Sequence, residues 1–283
     1  MAPVPSSRLM KTILVLTVVL AALTTFVRWL EPRLAFFPSP GEQETPRDAG
    51  LAYQPITLET RDGERLHGWV MPAAAAKGRI LYFHGNGGNL SNWLPIVSAI
   101  VRHGYSLVVV DYRGYGLSSG RPTERGLYRD VAAMIQYEWS DSDRRLPLIY
   151  WGRSLGGAMA AYAASERPPD GVIIEAGFPD ARAAVRGSPA LSLLSHLASY
   201  RFAAAGFLNT ARAPVLQLHG DRDRVIPLPL GRELFEQLAV TKEFVTIAGG
   251  DHNDSSPADA AAYWAAIDRF VSRRPVARDD SGR

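Results

Sequence analysis

A serine flanked by closely spaced glycines is the first candidate for chemistry in this sequence. It lies in Gly152-Arg153-Ser154-Leu155-Gly156, directly after an apolar run that is typical of a buried strand. This G-x-S-x-G pattern places a serine on a strained turn between a strand and a helix, where glycines allow close backbone contact. The hydroxyl is then exposed at a helix N-terminus, whose free N–H groups stabilise negative charge. We therefore interpret Ser154 as a nucleophile.

A serine hydroxyl is a weak nucleophile at neutral pH, so it needs a base that is itself held by a carboxylate. Of the six histidines we select His252, because it follows the last predicted strand and has Gly250 and Asn253 as near neighbours. The other five lie in a hairpin, at a helix end, in an apolar insertion, upstream of the acid or in a glycine loop: His67, His103, His196, His219 and His84.

Two aspartates compete for the role of the carboxylate, because Asp221 and Asp223 both follow the penultimate predicted strand. Asp221 comes directly after Gly220, where a short carboxylate accepts N–H bonds within a turn. Asp223 lies further along, where the chain must cross toward the loop of His252. We therefore predict a triad of Ser154, Asp223 and His252, in one of the known chain orders of such triads.

A second loop, His84-Gly85-Asn86-Gly87-Gly88-Asn89, follows an apolar strand. We predict that the backbone N–H groups of Asn86 and Leu155 form an oxyanion hole. We expect the remaining residues of the first loop to support it: His84, Gly85, Gly87 and Gly88. No G-K-[ST] follows, which argues against a phosphate-binding loop.

Strands that alternate with helices must position these residues. The predicted strands are 54–59 and 64–71, joined by Arg61-Asp62-Gly63, and then 78–83, 106–110, 146–151, 171–176, 214–218 and 244–248. This alternation predicts an α/β fold with a doubly wound, mostly parallel sheet. Ligands bind at the carboxyl ends of such strands, and every candidate residue follows one. We interpret three other polar residues near this edge as braces for loops: Asp111, Arg113 and Glu175.

Two segments fall outside the regular pattern. Residues 178–212 carry no predicted strand and are too apolar and too long for an ordinary loop, so we predict a short helical cap insertion that shapes an acyl pocket. Thr12 to Val27 are sixteen uncharged residues preceded by Arg8 and Lys11. With Arg28, Trp29 and Leu30 they are long enough for a membrane helix.

The predicted organisation is a basic N-terminus over 1–11, a transmembrane anchor over 12–30, a stem or linker over 31–50, a globular domain over 51–272 and a flexible tail over 273–283. A cleaved signal peptide and a buried helix are the alternatives to the anchor, although Ala22-Leu23-Thr24 is a poor cleavage site. Arg8, Lys11 and the amino-terminal charge precede the span, whereas Arg28 and Arg33 lie at or beyond its other end. This slight excess of positive charge predicts a cytoplasmic N-terminus and an extracytoplasmic globular domain.

Composition limits the possible partners. The net charge of +3 is spread without any block of Lys or Arg, so we predict no nucleic-acid partner. The absence of cysteine excludes disulfides, thiolate metal sites and a cysteine nucleophile. No cluster of His, Asp and Glu has metal spacing, and we predict neither a metal nor another cofactor.

Five segments together, FHGNGGN, DYRGYGLSSG, YWGRSLGGA, LHGDRDRVIP and GGDHND, resemble the α/β-hydrolase superfamily. Within it, the chain is similar to membrane-anchored serine hydrolases related to protein depalmitoylases, a group known broadly as serine-aminopeptidase-like. The resemblance runs from about Phe36 to Phe270. The eukaryotic depalmitoylases have a cysteine-rich, lipidated N-terminus, whereas this chain has no cysteine and a hydrophobic segment there.

This resemblance implies an α/β-hydrolase fold and hydrolysis through an acyl-enzyme without a cofactor. We predict cleavage of an ester or thioester in a small-molecule or lipid-like acyl substrate. A peptidase or amidase, or an acyltransferase, would use the same triad, and a non-catalytic protein on the same fold is a further alternative. The sequence does not indicate an oligomeric state.

Overall fold

A large twisted sheet forms the centre of the molecule. In this computed structural model, residues 7–140, 143–254 and 260–273 are described. The strands are β1 (Phe37–Pro38), β2 (Gln54–Glu59), β3 (Arg65–Met71), β4 (Gly78–Phe83), β5 (Gly87–Gly88), β6 (Tyr105–Val110), β7 (Leu148–Arg153), β8 (Gly171–Glu175), β9 (Val215–Gly220) and β10 (Lys242–Ile247). Eight of them form one sheet in the order β10-β9-β8-β7-β4-β6-β3-β2.

The sheet is parallel from β10 to β6, and β3 and β2 are antiparallel additions at one edge. Strands β6, β8 and β9 are buried along their whole length, as expected where helices cover both faces. The turn between β2 and β3 contains Gly63 at φ 85°, which glycine adopts without strain. The predicted fold class is confirmed, and the predicted strand ends lie within two residues of those observed.

Helices lie on both sides of the sheet. They are α1 (Ser7–Ala35), α2 (Leu90–Arg102), α3 (Glu124–Met134), α4 (Leu155–Glu166), α5 (Ala181–Ala184), α6 (Pro189–Leu194), α7 (Ala204–Ala211), α8 (Leu228–Gln237) and α9 (Ala260–Ser272). Helices α2 and α9 pack on one face, and α3, α4, α7 and α8 pack on the other. The sequence also predicts Ser256 as the N-cap and Pro257 as the first residue of the last helix. Both lie outside the described residues, as does the predicted tail beyond Arg273.

Helix α4 is buried on nearly all sides because its side chains are small, including Gly156, Gly157 and a run of alanines. Helix α7 packs on it through Ala204 and Leu208, which belong to the same apolar core. Helix α7 therefore serves as the connection from β8 to β9. Within the predicted insertion 178–212, α7 is therefore part of the core, whereas no residue of the short helix α6 is buried.

Helix α1 is 29 residues long, with a mean hydropathy of 2.2 over its most apolar 18-residue window, and that window is not buried. By length and composition it could cross a membrane. The helix continues through the predicted boundary at Leu30 and ends at Ala35. Its last turns contact the globular body, because the Glu31 carboxylate accepts N–H bonds from Ser199 (3.0 Å) and Tyr200 (2.7 Å).

The predicted stem or linker, 31–50, is tied into the fold by backbone hydrogen bonds. β1 pairs in parallel with β5, which lies in the predicted oxyanion loop. The N–H of Ser39 donates to the carbonyl of Gly88 (2.9 Å), and the N–H of Gly41 donates to that of Gly116 (2.9 Å). The stem therefore supports two loops at the carboxyl edge of the sheet, a role that its polar, turn-rich composition does not indicate.

Candidate active site

Ser154 occupies the turn between β7 and α4 in a conformation that L-residues rarely adopt, with φ 55° and ψ −120°. A Cβ at Gly152 would overlap the carbonyl of Gly156, and a Cβ at Gly156 would overlap that of Phe83. The turn is held in place because the N–H of Ser154 donates to the carbonyl of Glu175 on β8 (2.9 Å). Such strain is typical of functional turns that the surrounding structure stabilises.

His252 and Asp223 meet at the same edge of the sheet. The Nδ1 atom of His252 lies 2.7 Å from Oδ2 of Asp223. The other carboxylate oxygen of Asp223 accepts the N–H groups of Val225 (2.9 Å) and Ile226 (2.7 Å). Burial opposes ionisation of Asp223, but these hydrogen bonds outweigh it and hold the carboxyl pKa below its usual value. An ionised partner keeps the proton of neutral His252 on Nδ1 and leaves Nε2 as a proton acceptor.

Asp221 has a different partner. Its Oδ1 atom accepts the N–H of Gly249 (2.7 Å) and so links the loop after β9 to the loop after β10. The structure therefore brings Asp223, and not Asp221, to the imidazole.

The predicted oxyanion loop lies beside the nucleophile turn, because Phe83 at the end of β4 is in register with Gly152 on β7. The carbonyl and side-chain oxygens of Asn86 accept the hydroxyl of Tyr115 (3.0 and 2.9 Å), which orients this residue. Within the described part of the chain, the N–H of Asn86 donates to no backbone carbonyl. The N–H of Leu155 is the first of α4 and has no acceptor within its helix.

The supporting residues of this loop are tightly packed. A Cβ at Gly85 would collide with the ring of Trp93, whose Nε1 donates to the carbonyl of Gly87 (2.9 Å). Gly88 has φ 79°, a conformation that favours glycine. These contacts determine the path of the backbone next to the nucleophile turn.

His84 is completely buried at the start of the same loop. Its Nδ1 lies 2.8 Å from the carbonyl oxygen of Gly85, and its Nε2 lies 3.4 Å from Oδ1 of Asp111. Burial lowers the pKa of His84 to about 4 and raises the pKa of Asp111 to about 8. Both groups are therefore neutral at pH 7, and a protonated Asp111 can donate to the free imidazole nitrogen.

Arg153 is a functional candidate that our sequence interpretation did not include. Its guanidinium is buried, and Nη2 donates to the backbone carbonyls of His252 and Asp254, the latter at 2.9 Å. Burial disfavours the charge of Arg153, but nearby Glu175 raises its pKa above the usual value. The sequence signal for this role was a long charged side chain directly before Ser154 in a turn that is otherwise uncharged. Arg113, by comparison, forms ion pairs with Asp62 and Asp130.

Comparisons with known proteins identify the family and the fold of the chain. Residues 74–210 match the family model described as serine aminopeptidase, S33. An uncharacterised protein of Mycobacterium tuberculosis is 30% identical over 273 residues, which cover 95% of this chain and 97% of that protein. The chain belongs to the α/β-hydrolase superfamily. The Pyrococcus furiosus esterase Pf2001 has the same fold, with a TM-score of 0.67 and 17% identity over 85% of this chain and 98% of its own.

A further relative of this hydrolase chain is the lysophosphatidylserine lipase ABHD12 of Danio rerio. It is 32% identical over 186 residues, which cover 58% of this chain and 48% of that protein. The family model and the lipase relative indicate a hydrolase, and the likeness to the esterase structure shows the fold.

Proposed function

We propose that the chain is a serine hydrolase that cleaves an ester or thioester of a small-molecule or lipid-like acyl substrate. In this proposal, Ser154 is the nucleophile, His252 is the general base and Asp223 orients the base. The observation that carries the proposal is the 2.7 Å contact between Nδ1 of His252 and Asp223 at the edge that presents the strained Ser154. The lipase among the relatives supports an acyl substrate of lipid-like chemistry.

The proposed reaction has two steps. Nε2 of His252 removes the proton of Ser154 as Oγ attacks the carbonyl carbon, and the N–H groups of Asn86 and Leu155 stabilise the resulting oxyanion. The bond to the leaving alcohol or thiol then breaks, and His252 returns the proton to it. Water, activated by the same imidazole, hydrolyses the acyl-enzyme and releases the acid. No cofactor enters this scheme.

A peptidase or amidase would use the same groups, as would an acyltransferase in which an acceptor other than water attacks the acyl-enzyme. The two N–H groups and the triad serve all three reactions equally, so the leaving-group and acceptor pockets decide between them. A non-catalytic role is the remaining alternative. It is less consistent with a buried carboxylate that is hydrogen-bonded to His252 beside a strained serine.

A fluorophosphonate probe tests the nucleophile. The wild type should be labelled, Ser154→Ala should not, and Ser165→Ala should be labelled normally. Ser165 is a matched control because it lies at the other end of α4, where its hydroxyl donates to the carbonyl of Tyr162. Labelling of Ser154→Ala at the wild-type rate would refute the proposal. Matched ester, thioester and amide substrates with one acyl group would then identify the scissile bond.

We also propose that residues 12–30 anchor the protein in a membrane, with the N-terminus cytoplasmic and the catalytic domain outside. The length, hydropathy and exposure of α1 support the anchor, and Arg8 and Lys11 before the span support the orientation. The chain contains no cysteine, so a single surface cysteine can report the orientation. A membrane-impermeant maleimide should label Arg145→Cys in intact spheroplasts, and complete protection would reverse the topology.

A further inference from the structure

Exposed large apolar side chains are concentrated at one edge of the globular body. Outside α1, the large apolar residues that are exposed in the described part of the chain are Phe37, Leu117, Leu191, Leu193 and Val225. Four of them follow the carboxyl end of a strand in the sequence, and Phe37 pairs with a loop that follows such an end. Phe37 is in register with Gly87 after β4, Leu117 follows β6, the two leucines are on α6 after β8, and Val225 follows β9. We call these five residues the edge patch.

The opposite edge of the sheet has a different character. The loops that precede its strands, together with the start of β4 and the end of α9, carry basic side chains, among them Lys77, Arg79, Arg144, Arg145, Arg167 and Arg273. No large apolar side chain of these loops is among the exposed ones in the described residues. Isolated exposed apolar residues are normal on any protein, but their confinement to one edge indicates a binding surface.

Helix α1 joins the globular body at the edge that carries the patch. The Glu31 carboxylate binds the backbone of Ser199 and Tyr200, which follow α6, and the ring of Phe36 lies 5.7 Å from that of Tyr200. Arg28 reaches the carbonyl of Leu197 in the same segment (3.4 Å). A membrane that contains α1 would therefore meet the body at this edge.

We propose that the edge patch docks on the surface of the lipid bilayer that α1 enters, so that the acyl substrate reaches Ser154 directly from the membrane. The inference rests on the proposed anchor and deepens the proposed function. Two observations connect the patch to the chemistry. The backbone N–H of Val225 binds Asp223, and Phe37 pairs with the oxyanion loop. Because α1 joins the body at the edge that carries the patch, the surface that covers the patch is the lipid bilayer that contains α1. The basic residues of the opposite edge then face the water.

Single cysteines test the docking without removing native ones, because the chain has none. The full chain would be reconstituted in vesicles of phosphatidylcholine and phosphatidylglycerol, with bimane on Leu117→Cys, Leu193→Cys, Leu16→Cys or Arg145→Cys. Nitroxide groups on the lipids should quench the reporters at positions 16, 117 and 193. The reporter at 145, on the opposite edge, should be quenched only by aqueous iodide.

Each other result overturns the docking in a distinguishable way. Quenching at 16 without quenching at 117 and 193 would leave the anchor intact and refute the docking. Absence of quenching at 16 would refute both. Protection of 117 and 193 from both quenchers would mean that a protein, and not lipid, covers the patch.

Kinetics give a second, independent test. The variant Leu117→Ser, which lies outside the predicted acyl-pocket insertion, should hydrolyse a water-soluble short-chain ester at the wild-type rate. It should hydrolyse an ester lipid embedded in the vesicles at least about fivefold more slowly, because the site approaches the bilayer less closely. Equal activity on the embedded lipid would refute the docking. Failure of Ser154 to react with fluorophosphonate would instead refute the proposed hydrolase, and the quenching result would stand by itself.

Discussion

Replacing Asp223 by asparagine tests the proposed catalytic geometry most directly. One carboxylate oxygen of Asp223 accepts two backbone N–H groups, from Val225 and Ile226, and the other faces Nδ1 of His252. In Asp223→Asn, the amide oxygen would keep the two backbone bonds and the NH₂ group would face the imidazole. The NH₂ group donates, so Nδ1 must become the acceptor and the proton must move to Nε2. Nε2 can then no longer accept the proton of Ser154.

The expected cost is large in rate and small in stability. The wrong tautomer should reduce kcat on the order of 10⁴-fold, which corresponds to about 5 kcal/mol of transition-state stabilisation. The melting temperature should change little, because both backbone hydrogen bonds remain. Asp221→Asn is the matched control, since the carboxylate of Asp221 accepts the N–H of Gly249 across two loops and does not contact His252 in the described structure. The amide oxygen of Asp221→Asn can still accept that N–H, so this variant should change both the melting temperature and kcat little.

Single-turnover hydrolysis of a p-nitrophenyl ester and thermal melts followed by circular dichroism measure both quantities. If Asp221→Asn is inactive and Asp223→Asn is merely less stable, the acid has been assigned incorrectly. If Asp223→Asn retains activity within tenfold of the wild type, the tautomer argument fails, because the orientation of His252 would then not depend on this carboxylate.

The remaining predictions concern groups behind the site. Burial raises the pKa of Asp111 to about 8 and lowers that of His84 to about 4, so on unfolding Asp111 releases a proton while His84 takes one up below its ordinary pKa of 6.5. The two contributions cancel below about pH 6.5, and the unfolding free energy should fall with rising pH from about 6.5 to 8, by up to about 1.4 kcal/mol per unit. Asp111→Asn should flatten urea-unfolding measurements over this range, and an unchanged slope would contradict a neutral pair with His84. Arg153→Met, compared with Arg153→Lys, should lower kcat at least about tenfold with little change in KM, because His252 and Asp254 lose their guanidinium donor. Equal kcat values in Arg153→Met and wild type would assign Arg153 a purely structural role.

The centre of the sheet could be predicted from the sequence because its central strands are largely apolar and are buried along nearly their whole length. A strand such as Tyr105–Val110, buried on both faces, has no polar alternation to obscure it, and glycines or prolines stand near its ends. The direction and order of parallel strands then follow from few topological choices. The carboxyl edge of the sheet, and with it the neighbourhood of Ser154, could be predicted for the same reason.

Contacts between segments far apart in the sequence could not be predicted in this way. Whether Asp221 or Asp223 reaches His252 depends on the path of a loop, and here the structure places Asp223 against the imidazole. The hydrogen bonds from Arg153 to the loop of His252 cross 99 residues and leave no local pattern. The hydroxyl of Tyr115 binds Asn86 across 29 residues, and a tyrosine in a glycine-broken loop is equally consistent with simple packing.

The stem shows most clearly why a domain boundary drawn from composition differs from one drawn from contacts. A polar, proline-punctuated segment predicts a linker and a domain that begins at residue 51. In the structure, Phe37 and Pro38 pair with Gly87 and Gly88, and the N–H of Ser39 extends this pairing. These glycines directly follow Asn86, so the position of the proposed oxyanion donor depends on a strand that begins two residues after α1. The structural unit that holds the site therefore begins no later than Phe37. Only Phe36 separates the helix proposed to enter the membrane from the strand that pairs with the loop proposed to bind the oxyanion.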